Sequence, residues 1–494
     1  MKGSFHYPGT YPKGTAAKNK SDVTSTYYYD DHYFLYDARI YNPQLSTMSL
    51  CLGLSAWTSY DADSSRLGWS AHTATKNVRA LLTGAGGIGF QQFKYNSFWN
   101  APPTSNSIGV VAANKILTVS NVKYTLIALA VRGGGYYGEW AANLDLGLSG
   151  EHEGFSESKR NVLNFLSQYI KGQGIRGNLK LWCVGYSRGG AAANLVAGAL
   201  NTGYALPGVT LRQTDLFAYT FEAPQGAPAE QAAGSFANIK NIINVNDAVP
   251  LVAPSAWNFA RYNDASYILP SSVTSSHFDL QKANMLMQYN ALPQTDQIGY
   301  NINEYVRELE IHVNVSHLLP SGDPFVQIRL KDSASYTQNQ LLIDSLNTLC
   351  GIIGSRSNYV TKLQGVIEEM LQRNNSYHRD QKNWFAKVFS SFTIHDLEYI
   401  ITPIHCLNLL GSNNKTNDIR KRLTEKFTYH CQQLGISTSQ TFIDFVPKLA
   451  AKFIFSNPAH FVILVDAIIR GSITQAHTPE VCLAWLRSQD CNYV

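Results

Sequence analysis

The segment Leu181-Trp182-Cys183-Val184-Gly185-Tyr186-Ser187-Arg188-Gly189-Gly190-Ala191-Ala192-Ala193 constrains this chain more than any other. Four apolar residues lead into a glycine-flanked serine, and small residues follow. The pattern predicts a strand, a sharp turn and a helix, with Ser187 at the apex. A serine in such a turn has a strained backbone that exposes its hydroxyl, and glycine on either side lets strand and helix come close together. The bare Gly-x-Ser-x-Gly pattern is common by chance; its weight comes from the strand before it and the helix after it.

The surrounding sequence repeats the strand–helix alternation. Residues 124–131 form a near-continuous apolar run, as expected of a strand buried on both faces. Residues 109–113, 179–184, 216–221 and 239–245 read as further strands, and residues 45–57 and 161–170 have helical spacing. Strands separated by helices imply crossover connections and a largely parallel sheet. Residues 1–40, polar and rich in tyrosine, read as an irregular arm. Past residue 300 the texture turns helical, at 338–349, 359–372, 384–391, 396–410, 419–434 and 441–455, and a strand-like return appears at 461–469. The expected organisation is an α/β core over residues 1–300, a helical insertion or cap over 301–465, and a C-terminal return to the core over 466–494.

With 494 residues the chain exceeds what one ordinary core accommodates. A net charge of +5, with no basic patch interleaved with aromatics, argues against nucleic acid as a partner. Seven scattered cysteines show no metal-type spacing and no disulfide framework. Cys183 reads as a buried free thiol, and Cys482 and Cys491 are close enough in sequence to pair. No apolar run is long enough to span a membrane. The N-terminus shows no signal-type apolar stretch, which sets a cytoplasmic expectation, or a secreted one if a leader has been removed.

A serine hydroxyl needs a general base, usually histidine, oriented by a carboxylate. Asp247, in Asn246-Asp247-Ala248-Val249-Pro250, follows the apolar run 239–245 and so belongs at a strand's carboxyl end, where open parallel sheets build their sites. Two histidines compete as the base. His477 precedes Thr478-Pro479, a helix start with proline in its first turn, and His277 also precedes a helix and is nearer Asp247 in sequence. An oxyanion site needs two backbone N–H groups. The amide of Arg188 is one candidate, and Gly134, in the glycine run after the strand at 124–131, is the other.

Taken in order, these segments resemble the class 3 lipases, the fungal-type branch of the α/β-hydrolases, and look closest to its bacterial lipase-like members. Val131-Arg132-Gly133-Gly134 with Glu139-Trp140 is similar to the family's oxyanion strand, and His152-Glu153-Gly154-Phe155 to its His-x-Gly-Phe element. The serine turn, Glu222-Ala223-Pro224-Gln225-Gly226, Asn246–Pro250 and His477-Thr478-Pro479-Glu480 follow in the family's order. The resemblance covers residues 105–260 and returns near 470. It implies an α/β-hydrolase-type, mostly parallel sheet flanked by helices, with a large, mainly helical insertion or cap. It further implies a serine ester hydrolase with Ser187 as nucleophile, Asp247 as triad acid, and His477 favoured over His277 as base. Small-molecule or lipid esters are the implied substrates, with transient contact with a lipid surface and no metal or organic cofactor. Tyr136, Tyr137 and Trp140 are candidates for an acyl site or for ordinary packing, with packing favoured for Trp140.

The chain departs from the family at three places. Arg188 stands where leucine is usual, Gly134 replaces a threonine or serine, and the stretch from Asp247 to His477 is far longer than in a simple lipase. An acyltransferase using the same triad and a non-catalytic binding protein on the same fold are the alternative expectations.

Overall fold

The computed structural model describes residues 1–9, 22–59, 70–96, 108–133, 147, 150–244, 247, 249–251, 253, 258–264, 267–270, 275–292, 312–313, 326–327 and 477–493. The helices expected between 338 and 455 and the strand at 461–469 lie outside these residues, as do Gly134, Tyr136, Tyr137 and Trp140.

A seven-stranded sheet organises the fold. Its strands are β3 (Gln91–Tyr95), β4 (Val110–Val119), β5 (Val122–Val131), β6 (Gly177–Tyr186), β7 (Val209–Phe221), β8 (Ile239–Ile243) and β9 (Tyr267–Ile268), ordered β9-β8-β7-β6-β5-β4-β3. The pairs from β5 to β9 are parallel, whereas β3 and β4 join antiparallel at one edge. Helix α3 (Glu153–Gly172) connects β5 to β6, and α4 (Arg188–Asn201) connects β6 to β7. This mixed, mostly parallel sheet between helical layers is the α/β-hydrolase layout.

Side-chain alternation gives the sheet two cores. In β5, Leu126, Ala128 and Ala130 face one apolar cluster, and Ile127, Leu129 and Val131 face the other. In β6, Trp182, Val184 and Tyr186 point to the first, and Leu179, Leu181 and Cys183 to the second. With both faces covered, no polar alternation survives, which is why β5 reads as a continuous apolar run. Helices α3 and α4 cover the second face, through Phe155, Val162, Leu166, Leu195 and Val196.

The first face is covered by α1 (Pro43–Ser55), α2 (Lys76–Thr83), α5 (Phe278–Ala291), α6 (Pro479–Arg487) and a hairpin of β1 (Lys2–Pro8) with β2 (Asp22–Tyr28). Asn42 caps α1 through its side chain, which accepts from the Leu45 N–H at 2.9 Å, and Pro43 occupies the first turn. From Leu45 to Ser55 every residue of α1 is buried. Two of its serines find partners inside: Ser49 Oγ accepts from the Trp182 indole N–H at 2.8 Å, and Ser55 Oγ donates to the Leu52 carbonyl at 2.8 Å.

The hairpin corrects the irregular arm expected at the N-terminus. Phe5, Tyr7, Tyr27 and Tyr29 are buried, while His6, Thr24 and Thr26 face outward. Tyrosine supplies the apolar face, and its hydroxyls are satisfied within the fold: Tyr27 donates to the Gly86 carbonyl at 3.0 Å and Tyr29 to Asp31 at 2.7 Å. Cys482 and Cys491 do not pair; Cys482 is a buried free thiol in α6 and Cys491 is an exposed one. Cys183 is also free and buried, and burial pushes its thiol up to about 12.

Candidate active site

The parallel register lines up strand ends along one edge: Val131 stands opposite Gly185, Tyr186 opposite Phe221, and Phe221 opposite Ile242. Just beyond these ends lie Gly133, Ser187, Glu222 and Asp247. Their proximity is a consequence of sheet register.

Ser187 occupies the N-cap of α4 with φ 55° and ψ −127°, backbone angles that cost a non-glycine residue ~1–3 kcal/mol. The strain is held by packing and by the Ser187 N–H, which donates to the Phe221 carbonyl at 2.8 Å. A Cβ on Gly185 would come within 2.1 Å of the Gly189 carbonyl oxygen, and one on Gly189 within 2.5 Å of the carbonyl oxygens of Val131 and Arg132. Both flanking glycines are therefore steric requirements of the turn. The first turn of α4 presents its N–H groups, and the positive end of its dipole, toward Ser187.

His477 reaches the serine from the other end of the sequence. Its Nε2 lies 2.8 Å from Ser187 Oγ and its Nδ1 2.5 Å from Asp247 Oδ2. A carboxylate only accepts, so the imidazole proton sits on Nδ1 and Nε2 is left to accept the serine proton. Asp247 is fixed in turn: Oδ1 accepts the Val249 N–H at 2.9 Å, and its own N–H donates to the Asn244 carbonyl at 2.9 Å. The Asp247 side chain is fully buried, whereas His477 keeps some exposure.

Tyr186 and α6 set the position of His477. The Tyr186 hydroxyl donates to the His477 carbonyl at 3.0 Å, and their rings lie 5.4 Å apart. Thr478 takes the N-cap of α6 and Pro479 its first position, so the helix starts immediately after the histidine. Valine, leucine and tryptophan at 481, 483, 485 and 486 bury α6 in the first core. The competing histidine lies elsewhere. His277 sits exposed at the N-cap of α5, with its Nδ1 3.1 Å from Ser276 Oγ.

Arg188 is not the cation beside the serine that its sequence position suggests. Its side chain is buried, and Nη2 donates to Ser158 Oγ on α3 at 3.2 Å. Only its backbone belongs to the site edge. Gly133, the last described residue of the glycine run, packs where a Cβ would meet the Trp57 indole at 2.8 Å and the Tyr186 carbonyl at 3.0 Å.

Three contributors received no role from the sequence. Glu222 is buried at the end of β7, and its carboxyl accepts the Asn244 N–H at 3.0 Å on one oxygen and 3.2 Å on the other. Arg261 donates to the carbonyls of Ala223 at 3.0 Å and Pro250 at 2.7 Å, pinning the Asp247 loop to the end of β7. Cys482, on the face of α6 toward the site, is buried near enough to the Glu222 carboxyl to interact with it. The motifs locate Glu222 at a strand end but give none of the three a role, because each acts through tertiary contact. Among the described residues no group of three or more His, Cys, Asp or Glu side chains is arranged to hold a metal ion. No described helix is long and apolar enough to cross a membrane.

No protein-family model matches the sequence, and no curated protein matches it. Among solved structures the chain is similar to the Rhizomucor miehei lipase in complex with its propeptide, at 20% identity and a TM-score of 0.24, over 35% of this chain and 56% of that one. It is also similar to lipase II from Rhizopus niveus, at 16% identity and a TM-score of 0.27 over 44% and 78% of the two chains. A variant of MDLA from Penicillium cyclopium matches at 21% identity and a TM-score of 0.27 over 48% and 86%. The likeness to fungal class 3 lipases is thus partial and of low identity, and it spans little more than half of the Rhizomucor protein. The strand order and the serine turn carry the α/β-hydrolase assignment independently of these overlays.

Proposed function

We propose that this chain is a serine-dependent carboxylic ester hydrolase, a lipase or esterase. One observation carries the reading: a serine at positive φ on a strand–helix turn, in hydrogen-bond reach of a histidine whose other nitrogen faces a buried aspartate. In the proposed reaction Ser187 Oγ attacks the ester carbonyl carbon while its proton passes to His477 Nε2. Asp247 holds the Nδ1 proton and stabilises the imidazolium that forms. The carbonyl oxygen gains negative charge, which the Arg188 N–H, backed by the α4 dipole, and the amide assigned to Gly134 would stabilise. Collapse breaks the C–O bond to the alcohol, which leaves with the proton from His477. Water then attacks the acyl-enzyme by the same base, releasing the acid and restoring Ser187.

Acyl esters with an apolar acyl chain are the proposed substrates. The organisation proposed for the whole chain is a core over 1–300, a cap over 301–465 that selects what reaches the serine, and the histidine-bearing return over 466–494. The test is hydrolysis of a chain-length series of nitrophenyl esters, with fluorophosphonate labelling in parallel. Ser187→Ala and His477→Ala should each lose ~10⁴-fold or more in kcat, and His277→Ala should match wild type. Activity retained in Ser187→Ala sinks the mechanism. A rate that is highest for acetyl esters and falls steadily with chain length sinks the lipid preference. An unlabelled, inactive wild type favours a binding protein, and a new ester formed in the presence of an added alcohol favours acyl transfer.

A further inference from the structure

Glu222 is a buried ionisable group that the proposed reaction leaves unused. It follows the last residue of β7 with φ 46°, and its N–H donates to the Ile242 carbonyl at 2.9 Å. That bond fixes its backbone beside the loop bearing Asp247. Its carboxyl is fully buried and meets groups from three directions. The loop after β8 supplies the Asn244 N–H and the Asp247 carboxyl, and α6 supplies the Cys482 thiol. From β6, the Tyr186 hydroxyl lies near the carboxyl groups of Glu222, Asp247 and Glu480.

The carboxyls of Glu222 and Asp247 are both buried and meet across Asn244, whose N–H donates to Glu222 at 3.0 Å and whose carbonyl accepts the Asp247 N–H at 2.9 Å, so the two acids are near enough to interact. Two carboxyl groups cannot share a hydrogen bond unless one keeps its proton. Asp247 has the better claim to the negative charge, since its two oxygens already face the Val249 N–H and the His477 imidazole. We infer that Glu222 is a positioning residue, a neutral carboxylic acid whose O–H donates to Asp247 and so orients and moderates the carboxylate that faces His477. The inference rests on the hydrolase reading above. Burial, followed by the charge of Asp247, pushes the Glu222 carboxyl well above its ordinary range, which agrees with this proton placement. The series inferred in this way runs from Glu222 through Asp247 and His477 to Ser187, with the Cys482 thiol beside its outer end.

A donor to Asp247 draws off part of its charge. Without it, the full carboxylate charge falls on His477, and the imidazole holds a proton to higher pH. A purely structural Glu222, which only anchors the Asn244 N–H, has no such effect.

The experiment is the pH dependence of the rate at which a fluorophosphonate labels Ser187 in the full-length chain, for wild type, Glu222→Gln and Glu222→Leu. Glutamine keeps both a donor for Asp247 and an acceptor for Asn244; leucine keeps the bulk alone. Glu222→Gln should retain most of the wild-type rate with its acid limb in place. Glu222→Leu should label ~10-fold or more slowly, with its acid limb moved up by about half a pH unit or more. A second readout holds if the leucine variant does not fold: the infrared difference spectrum of wild type minus Glu222→Gln at neutral pH should contain the carbonyl stretch of a protonated carboxylic acid. Absence of that band, or glutamine and leucine variants alike in rate and acid limb on a wild type that labels, overturns this inference alone. A wild type that takes no label overturns the hydrolase reading, and the positioning role of Glu222 with it.

Discussion

Ser187, Asp247 and Glu222 all stand just past the carboxyl ends of neighbouring strands, and Ser187 and Glu222 are each tied to the strand, or strand end, that comes next in the sheet. The Ser187 N–H bonds the Phe221 carbonyl, the Glu222 N–H bonds the Ile242 carbonyl, and the Glu222 carboxyl takes the Asn244 N–H. Side chains with opposing electrostatic needs are thereby held at hydrogen-bond distance, a cost the fold bears in stability. For Glu222 the sign is definite. Its carboxyl is raised above the ordinary value of 4.5 in the folded chain, so the folded state holds a proton that the unfolded state gives up. Its contribution to stability is intact below about pH 4.5 and is lost progressively as pH rises toward the folded value. Glu222→Gln removes that loss. Its apparent Tm relative to wild type should therefore climb over the window that opens above about pH 4.5. A difference that stays flat over that window contradicts a neutral Glu222.

At the scale of elements, the segment carrying His477 is held by the opposite end of the chain. Arg487, buried near the end of α6, donates to Ser25 Oγ at 2.9 Å and to the Thr26 carbonyl at 2.6 Å, both on β2. Its guanidinium lies 4.5 Å from the Tyr493 ring centre, and that ring packs edge-on against Tyr28 at 4.9 Å. On the other side Phe278 of α5 stacks on Trp485 at 6.1 Å. Hairpin, α6 and α5 thus form one clamp, which accounts for the burial of a tyrosine-rich N-terminus. Replacing Arg487 with alanine removes charge-assisted bonds worth ~1.5–3 kcal/mol each and strands a hydroxyl and a carbonyl on β2. The urea midpoint followed by tryptophan fluorescence should drop, and labelling at Ser187 should slow with it. An unchanged midpoint argues against the clamp.

Across the whole molecule the two cores differ in character. The second is aliphatic and lies between the sheet and two helices; the first is aromatic and wraps α1 on all sides. A helix with no exposed face loses its hydrogen bonds only when the surrounding cluster opens. Amide exchange should therefore be slowest in α1 and in the central strands β5 and β6, and faster in the edge strands β3 and β9. Exchange in α1 as fast as in β3 contradicts a single cooperative cluster around it.

Much of this was legible before any coordinates. The run at 124–131 and the segment through Ser187 declare strands buried on both faces and a glycine-walled turn, because burial and steric exclusion act on neighbours in sequence. The expected strands came out short where polar positions begin or end them: β4 extends to Val119, and β7 starts at Val209 with half its early residues facing water. The β1–β2 hairpin was hidden because tyrosine reads as polar until its hydroxyl has a partner. The residues around Ser187 left His477 and His277 in competition until the family resemblance favoured His477, whereas the turn of the Arg188 guanidinium toward Ser158 and the meeting of Glu222 with Asp247 and Cys482 belong to tertiary structure alone. Local sequence encodes strand, turn and helix through short-range sterics. Which distant groups share a hydrogen bond is decided by sheet register and by the packing of α6 against the hairpin.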